Sequence, residues 1–357
     1  MGQKPKTSFK KVTCEVRQPV LHHAILRKIP ARMIAKGELY LPAVPALAEH
    51  YASLLDQTWR GIGRIFTPTE LEYLTNVLRD TAKEAFALSP YSRISVVYET
   101  DPLPKTSLTW TISACPSSIE AEYDDWVKTR TPPLFGAHPD AKVMDLAKIL
   151  GDPSQCPILD VGAGTGRNTL PLLRLGFPAE ALELAPSLIQ MLRDDAEKEQ
   201  LQVVVHANNF LDEDLPLPEN HYKMVFLAEV TAHFRDSAQL KRLFENAERI
   251  LRPGGLLLFN IFLPLEGYKA DELAIQVSQA NWCSLFTRGQ LAEAQQGVAF
   301  ELVSNESTPE YEKMALPPEQ WPPNGWYVNW SAGLDLFDLP STKCPIELRW
   351  LTFRKKG

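Results

Sequence analysis

The sequence predicts an α/β protein: a mostly parallel, doubly wound sheet with helices on both faces, carried behind a smaller helical and β-hairpin appendage. Two observations predict it. After Pro153, short apolar runs alternate with amphipathic helical stretches through glycine turns, and such alternation brings successive strands into a parallel sheet. Before residue 118 two helical periodicities are instead followed by two runs of period two. With 357 residues, 45% hydrophobic and 23% charged, the chain can bury a substantial core without staples.

Residues 1–40 hold six Lys and three Arg against Glu15 and Glu38, a balance of +7; the chain total of −7 leaves −14 for residues 41–357. This basic leader reads as a solvated segment or as a surface for an anionic partner. Pro19, His22, His23 and Arg27 interrupt any apolar stretch, which argues against a signal peptide or anchor helix. Met1-Gly2 opens like a myristoylation signal, but Lys6 stands where that motif wants Ser or Thr.

From Pro45, the residues Leu47, Tyr51, Leu54, Leu55 and Trp59 recur with helical period, and the pattern stops near Gly61 and Gly63. Thr67-Pro68-Thr69-Glu70 is a capping box with Pro at the first helical position, and Phe66 and Leu71 can form its hydrophobic staple. Leu71, Leu74, Leu78, Ala82 and Phe86 continue one apolar face to about residue 87. Ile94, Val96 and Tyr98, then Leu108, Trp110 and Ile112, read as a hairpin joined by residues 100–106. No acid/base pair or phosphate loop occurs here. Residues 1–118 are therefore expected to be an appendage that covers the core or builds a homodimer, and residues 119–357 the domain that does chemistry.

In that domain the expected strands are 157–161, 179–184, 202–207, 222–230, 255–262, 300–304 and 346–353, with helices near 166–175, 187–200 and 236–251. In such sheets ligands bind at the carboxyl ends of the strands. The first end reads Asp160-Val161-Gly162-Ala163-Gly164-Thr165-Gly166, a turn whose glycines permit close approach of the backbone to a ligand at a helix start. Arg167 stands where a dinucleotide fingerprint needs its third glycine, and no Gly-Lys-Ser/Thr follows as a nucleoside-triphosphate loop requires.

With ILDVGAGTG as first motif, the chain over roughly residues 140–357 resembles the class I S-adenosylmethionine-dependent methyltransferases. That resemblance implies a seven-stranded Rossmann-like sheet whose last strand is antiparallel, with S-adenosyl-L-methionine as cofactor and S-adenosyl-L-homocysteine as product. It implies that Asp160, Gly162, Gly164 and Gly166 form the cofactor turn, and that Glu183, with Leu184 beside it, accepts the ribose hydroxyls. It places Asn209-Phe210 beside the adenine, where Asn replaces the family's usual Asp, and it matches Glu229, His233 and the turn Arg252-Pro253-Gly254-Gly255 to common family positions. Tyr123 to Arg130 stands where the family often folds a helix over the methionine end, so Arg130 is expected to pair with the cofactor carboxylate. Arg167-Asn168, similar to the G-R-N of tellurite-resistance-type methyltransferases, is taken as a surface feature.

Methyl transfer from a sulfonium is an in-line displacement that needs alignment, water exclusion and a base only where the acceptor loses a proton. His233 after the fourth strand is the candidate base; the alternative is a histidine that packs or caps the next helix. Tyr123, Trp126, Trp326 and Trp330, the last two in a Pro-rich insertion over residues 308–340, could line a pocket for a flat or apolar acceptor, or simply anchor the insertion. The acidic balance, and Ala228-Glu229-Val230-Thr231 where a base-clamping Asn/Asp-Pro-Pro-Tyr would stand, argue against a nucleic-acid target. The five cysteines lie far apart with no metal spacing, so no metal site or disulfide is expected, and a reduced cytoplasmic setting is. The expected function is methylation of a small molecule on oxygen or nitrogen. The alternatives are a peptide or protein methyltransferase, a non-catalytic cofactor-binding scaffold and, disfavoured by Arg167, a nicotinamide oxidoreductase.

Overall fold

The computed structural model describes residues 17–101, 105 and 107–357. The Met1-Gly2 start, the first four lysines of the basic leader and part of the hairpin connection lie outside the described residues. The described residues divide into two compact units, one of those within 17–41, 47–81 and 94–113, the other of residues 42–46, 82–93 and 114–357.

In the first unit a three-stranded sheet has the order β1 (Lys36–Pro42), β2 (Arg93–Thr100), β3 (Leu108–Cys115). The expected hairpin is its β2–β3 pair; β1, hidden in the leader, has alternating half-buried residues and too few apolar ones to announce itself. The helix Ala48–Gly61 buries Tyr51, Leu55 and Trp59, and the Trp59 ring meets Tyr98 edge-on at 5.9 Å. The helix Pro68–Leu88 starts at the capping box: the Thr67 N–H donates to the Glu70 carboxylate at 2.7 Å, and the Glu70 N–H donates to Thr67 Oγ1 at 3.3 Å. The helix Gln18–Leu26 buries none of its residues.

The second unit is built on a seven-stranded sheet. Its strands are β4 (Ile158–Val161), β5 (Ala179–Leu182), β6 (Val204–His206), β7 (Tyr222–Leu227), β8 (Leu251–Pro264), β9 (Phe300–Ser307) and β10 (Ile346–Lys355), in the order β6-β5-β4-β7-β8-β10-β9. Neighbours from β6 to β8 are parallel, and the last strand, β10, runs antiparallel to both β8 and β9. The chain winds outward from β4 through β5 and β6, then returns to β7 on the other side of β4. That reversal opens a crevice at the carboxyl ends of β4 and β7.

The helix Ser237–Ile250 covers one face of the sheet, burying Leu240, Leu243 and Phe244 against Val225, Leu227 and Phe259. On the other face the helix Ala141–Lys148 sets Val143 and Ala147 against Ile158, Met224, Phe226 and Trp350. Each such large side chain contributes about 1.5–3 kcal/mol of burial.

Three expected boundaries shift for local reasons. Strand β5 stops at Leu182, after which Glu183 leads into the helix Pro186–Lys198, and β7 stops at Leu227, two residues before Glu229 takes a left-handed φ of 64°. Arg252-Pro253-Gly254-Gly255 is not a turn before β8 but lies within it, at a register shift against β7 where Gly254 has a φ of 75°. The insertion over 308–340 is not an open loop. It folds into the helices Thr308–Ala315 and Tyr327–Ser331, and Tyr327 and Trp330 pack with Phe262, Ile346 and Leu348. Buried Glu312 anchors it, accepting the Ala141 N–H at 2.6 Å and the Trp350 indole N–H at 3.0 Å. No helix among the described residues is long and apolar enough to cross a membrane.

Candidate active site

The glycine turn after β4 is shaped by close contacts. Gly162 has a φ of 70°, and a Cβ there would sit 2.4 Å from Val230 Cγ2; Gly164 has a φ of 55°, and its Cβ would meet the Phe135 ring at 3.2 Å. Only glycine takes both the conformation and the space. Beneath the turn, Asp160 accepts the Thr169 hydroxyl at 2.7 Å, and burial pushes its carboxyl up to about 7. Glu183 ties the turn to the end of β5: Oε2 accepts the Gly164 N–H at 2.8 Å, while Oε1 accepts the N–H groups of Leu184 and Ala185 at 2.8 and 2.9 Å. Of the roughly four acceptor positions of a carboxylate, one on Oε2 remains, on a residue that lines the crevice.

These residues wall a cleft of about 380 Å³ at the strand ends. Asp160, Gly162, Gly164, Glu183, Leu184, Asn209, Phe210, Glu229, Tyr123 and His233 all line it. Gly166 does not; its role is in the turn, where a Cβ would strike Leu192 at 2.3 Å. The Asn209 side-chain oxygen accepts the Leu211 N–H at 2.9 Å, and buried Phe210 reaches the core behind.

Arg167-Asn168 is not a surface feature. The Arg167 side chain is 7% exposed, with Nη1 2.6 Å from Asp140 and Nη2 2.9 Å from Glu229. Asn168 accepts the Asp140 N–H at 2.8 Å and donates its amide back to the Asp140 carboxylate at 2.9 Å. Burial works against the Arg167 charge, but the two carboxylates raise its pKa overall. Burial raises the Glu229 carboxyl against the opposing pull of Arg167. The left-handed backbone of Glu229 is held by its N–H donating to the Asn260 side-chain oxygen at 2.8 Å. The early strand ends imply strand-end residues without showing that Asp140 and Asn260 meet them.

A second chamber, of about 440 Å³, lies behind a shared wall of Tyr123, Phe135, Glu229 and His233. It brings together Trp126, Trp326 and Trp330, which sequence reasoning had proposed as a set with Tyr123, and adds Trp282, which it had missed. Trp126 and Trp282 are stacked at 4.7 Å with planes 8° apart. The Arg130 guanidinium lies 3.5 Å above Trp126. Arg130 thus lines this chamber and not the glycine-turn cleft, contrary to the expected pairing with a cofactor carboxylate, because stacking on Trp126 turns it away. The Trp330 indole N–H donates to the Trp282 carbonyl at 2.7 Å, fixing Trp282 in a left-handed φ of 60°.

His233 stands in the shared wall on the 3-10 turn Thr231–His233. Both its ring nitrogens are engaged: Nδ1 lies 2.7 Å from the Tyr91 hydroxyl and Nε2 lies 3.1 Å from the Tyr123 hydroxyl. Burial lowers its pKa to about 4, so the ring is neutral at pH 7. Burial also raises both tyrosine hydroxyls. Nothing in the Ser89-Pro90-Tyr91 segment signalled a site.

The reversal of strand order at β4, the glycine turn that follows it and the acid that closes β5 are those of the class I S-adenosylmethionine-dependent methyltransferases, and the chain contains a domain of that superfamily. Residues 158–255 match the family described as methyltransferase domain, and S-adenosylmethionine is the cofactor of the class. The chain is 28% identical over 111 residues to demethylmenaquinone methyltransferase of Tropheryma whipplei (strain Twist), covering 31% of this chain and 44% of that protein. It is also 28% identical over 123 residues to erythromycin 3''-O-methyltransferase of Saccharopolyspora erythraea, covering 34% and 39%. The chain thus spans less than half the length of these curated relatives. Among solved structures it is similar to geranyl diphosphate C-methyltransferase from Streptomyces coelicolor A3(2), with 16% identity and a TM-score of 0.46 over 61% of this chain and 80% of that one.

Proposed function

We propose that the chain transfers a methyl group from S-adenosylmethionine to an oxygen or nitrogen of a small acceptor held in the aromatic chamber. The observation that carries this reading is the shared wall: Tyr123, Phe135, Glu229 and His233 line both the glycine-turn cleft and the tryptophan chamber. The residues present fit the cofactor. Gly162 and Gly164 bring bare backbone to the wall of the cleft, and Glu183 keeps an acceptor position for a ribose hydroxyl. Leu184, Asn209 and Phe210 line the same cleft and would flank the adenine. When bound, the cofactor supplies an electrophilic methyl on a positively charged sulfur.

The rest falls to the chain. The stacked Trp126 and Trp282, with Trp326 and Trp330, would hold an acceptor of flat or apolar character by contact and exclude water. Arg130 belongs to the acceptor side in this reading. His233 would serve the acceptor proton. The similarity to erythromycin 3''-O-methyltransferase supports a small-molecule oxygen acceptor. The free cysteines Cys115, Cys156, Cys283 and Cys344 fit a reducing, cytoplasmic setting.

Calorimetric titration with S-adenosylhomocysteine, with NADH for comparison, tests the cofactor half. We expect micromolar binding of the homocysteine compound that weakens roughly 10–100-fold in Glu183→Ala, the scale of one or two hydrogen bonds to a charged group. No binding, or tight binding of NADH instead, would sink the reading. Transfer of labelled methyl to a panel of phenols and amines tests the acceptor half; binding without turnover on any of them would favour a scaffold.

A further inference from the structure

The proposed function leaves a difficulty at His233. A general base must accept a proton on a free nitrogen and hold the resulting charge, yet both of its nitrogens face tyrosine hydroxyls and the ring is enclosed by Tyr91, Tyr123 and Trp282. Imidazolium and phenolate are both penalised by the desolvation that surrounds the three rings. A neutral imidazole has one donor and one acceptor nitrogen. So one tyrosine must donate to the ring while the other accepts from it, and the two arrangements differ only in where protons sit.

We propose that Tyr123, His233 and Tyr91 form a proton relay that carries the acceptor's proton from the shared wall to the cleft without charging any of the three rings. Resting on the reading of the site as a methyltransferase centre, this assigns proton removal to Tyr123 as the catalytic residue, with His233 and Tyr91 as positioning residues behind it. In the starting arrangement Nδ1–H donates to Tyr91 and the Tyr123 hydroxyl donates to Nε2. As the methyl group transfers, the acceptor's proton passes to the Tyr123 oxygen and the Tyr123 proton to Nε2. The Nδ1 proton passes to Tyr91, whose own hydroxyl proton leaves to solvent in the cleft. The electron pair of the acceptor's bond to hydrogen becomes its bond to the methyl carbon, and the carbon–sulfur pair stays on sulfur as it becomes a neutral thioether. After product leaves, Tyr91 takes a proton from solvent in the cleft and returns its own to Nδ1, Nε2 returns its proton to Tyr123, and Tyr123 gives one up to water in the acceptor's place, which passes it to bulk solvent; the first tautomer is restored.

The placement supports this direction of travel. Tyr123 lines both chambers, Tyr91 lines only the cleft, and His233 spans the gap between them. The ionisable groups around the array are Glu122, Arg235 and Cys283 about Tyr91, and Glu183 and Glu229 about Tyr123. Acids thus flank both ends of the array, Glu122 at the Tyr91 end and Glu183 and Glu229 at the Tyr123 end, while the cation Arg235 stands at the Tyr91 end, where the proton leaves.

The test is nitrogen NMR of the full chain labelled in its seven histidines, with His233 identified by the signal lost in His233→Gln. We expect a neutral His233 ring from pH 5.5 to 8, a range that lies wholly above the lowered value of about 4. Tyr91→Phe should leave the ring with its proton on Nε2, toward Tyr123. Tyr123→Phe should do the opposite and leave it on Nδ1, toward Tyr91. A histidine that only fills space would not answer the two substitutions in opposite senses. The same tautomer in both variants, or a protonated ring at pH 6, would overturn the relay. S-adenosylhomocysteine calorimetry on the same samples reports separately on the methyltransferase reading: intact binding with no tautomer response condemns the relay alone, whereas a reciprocal response without cofactor binding upholds the relay's geometry and condemns that reading.

Discussion

Arg167 shows how much one side chain can carry. Its guanidinium bridges Asp140 and Glu229 in a nearly closed environment, so its removal leaves two carboxylates unpaired beside each other. Breaking a buried ion pair from one side typically costs about 3–5 kcal/mol. Urea denaturation of Arg167→Met should show a loss on that scale, with Glu229→Gln losing less because the guanidinium keeps Asp140; equal and small losses would mean the network is solvated after all. Gly162 makes a second case. An alanine there must hold a φ of 70° and push Val230 from 2.4 Å, and overpacking and backbone strain each run to about 1–3 kcal/mol. Gly162→Ala should therefore melt well below the parent chain, and an unchanged melting temperature would show that the turn yields.

At the scale of elements, ends and anchors matter more than interiors. The helix Pro68–Leu88 is started by reciprocal bonds between Thr67 and Glu70, and loss of such a cap costs about 1 kcal/mol. Thr67→Ala should show that much in denaturant titration, and Thr67→Ser should restore it. The insertion over 308–340 holds its place through Trp330, which is 5% exposed, packs edge-on to Phe262 at 5.1 Å and bonds the Trp282 carbonyl. Trp330→Ala removes a buried aromatic and should cost about 3–5 kcal/mol. A cost below 1 kcal/mol would mean that the insertion is only loosely seated.

The chain as a whole has opposing pH responses. Asp160 titrates near 7 against its ordinary 3.8, Glu312 and Glu229 are also raised by burial, and His233 is lowered to about 4. For the raised acids the folded chain binds more protons than the unfolded one, so their contribution is full below about pH 4 and is lost as pH rises through 7. For His233 the folded chain binds fewer, so its contribution is present above about pH 6.5 and is lost as pH falls toward 4. Three acids outweigh one histidine on the alkaline side. Thermal melts of the ligand-free chain should decline from pH 6 to 8, and Asp160→Asn, which keeps an acceptor for Thr169, should gain on the parent over that interval. A constant difference between the two would show that Asp160 is ionised throughout.

The parallel sheet and the glycine turn were legible because each is written in neighbouring residues, apolar runs of strand length and a turn only glycine can make; the antiparallel last strand and the acid after β5 came from the family resemblance. Resemblance then supplied the cofactor. The aromatic set Trp126, Trp326 and Trp330 was legible as composition, but which cavity it served was not. Arg130 and Arg167 exchanged surroundings relative to expectation, the first stacked on Trp126 and the second buried between two acids. Tyr91 reaches His233 across 142 residues of chain, and Trp282 and Asp140 come to the site from segments with no motif. Local pattern is set by dihedral preference and hydrophobic period, which act over a few residues. Which side chains meet is set by strand order and loop closure, and those are decided only when the whole sheet is assembled.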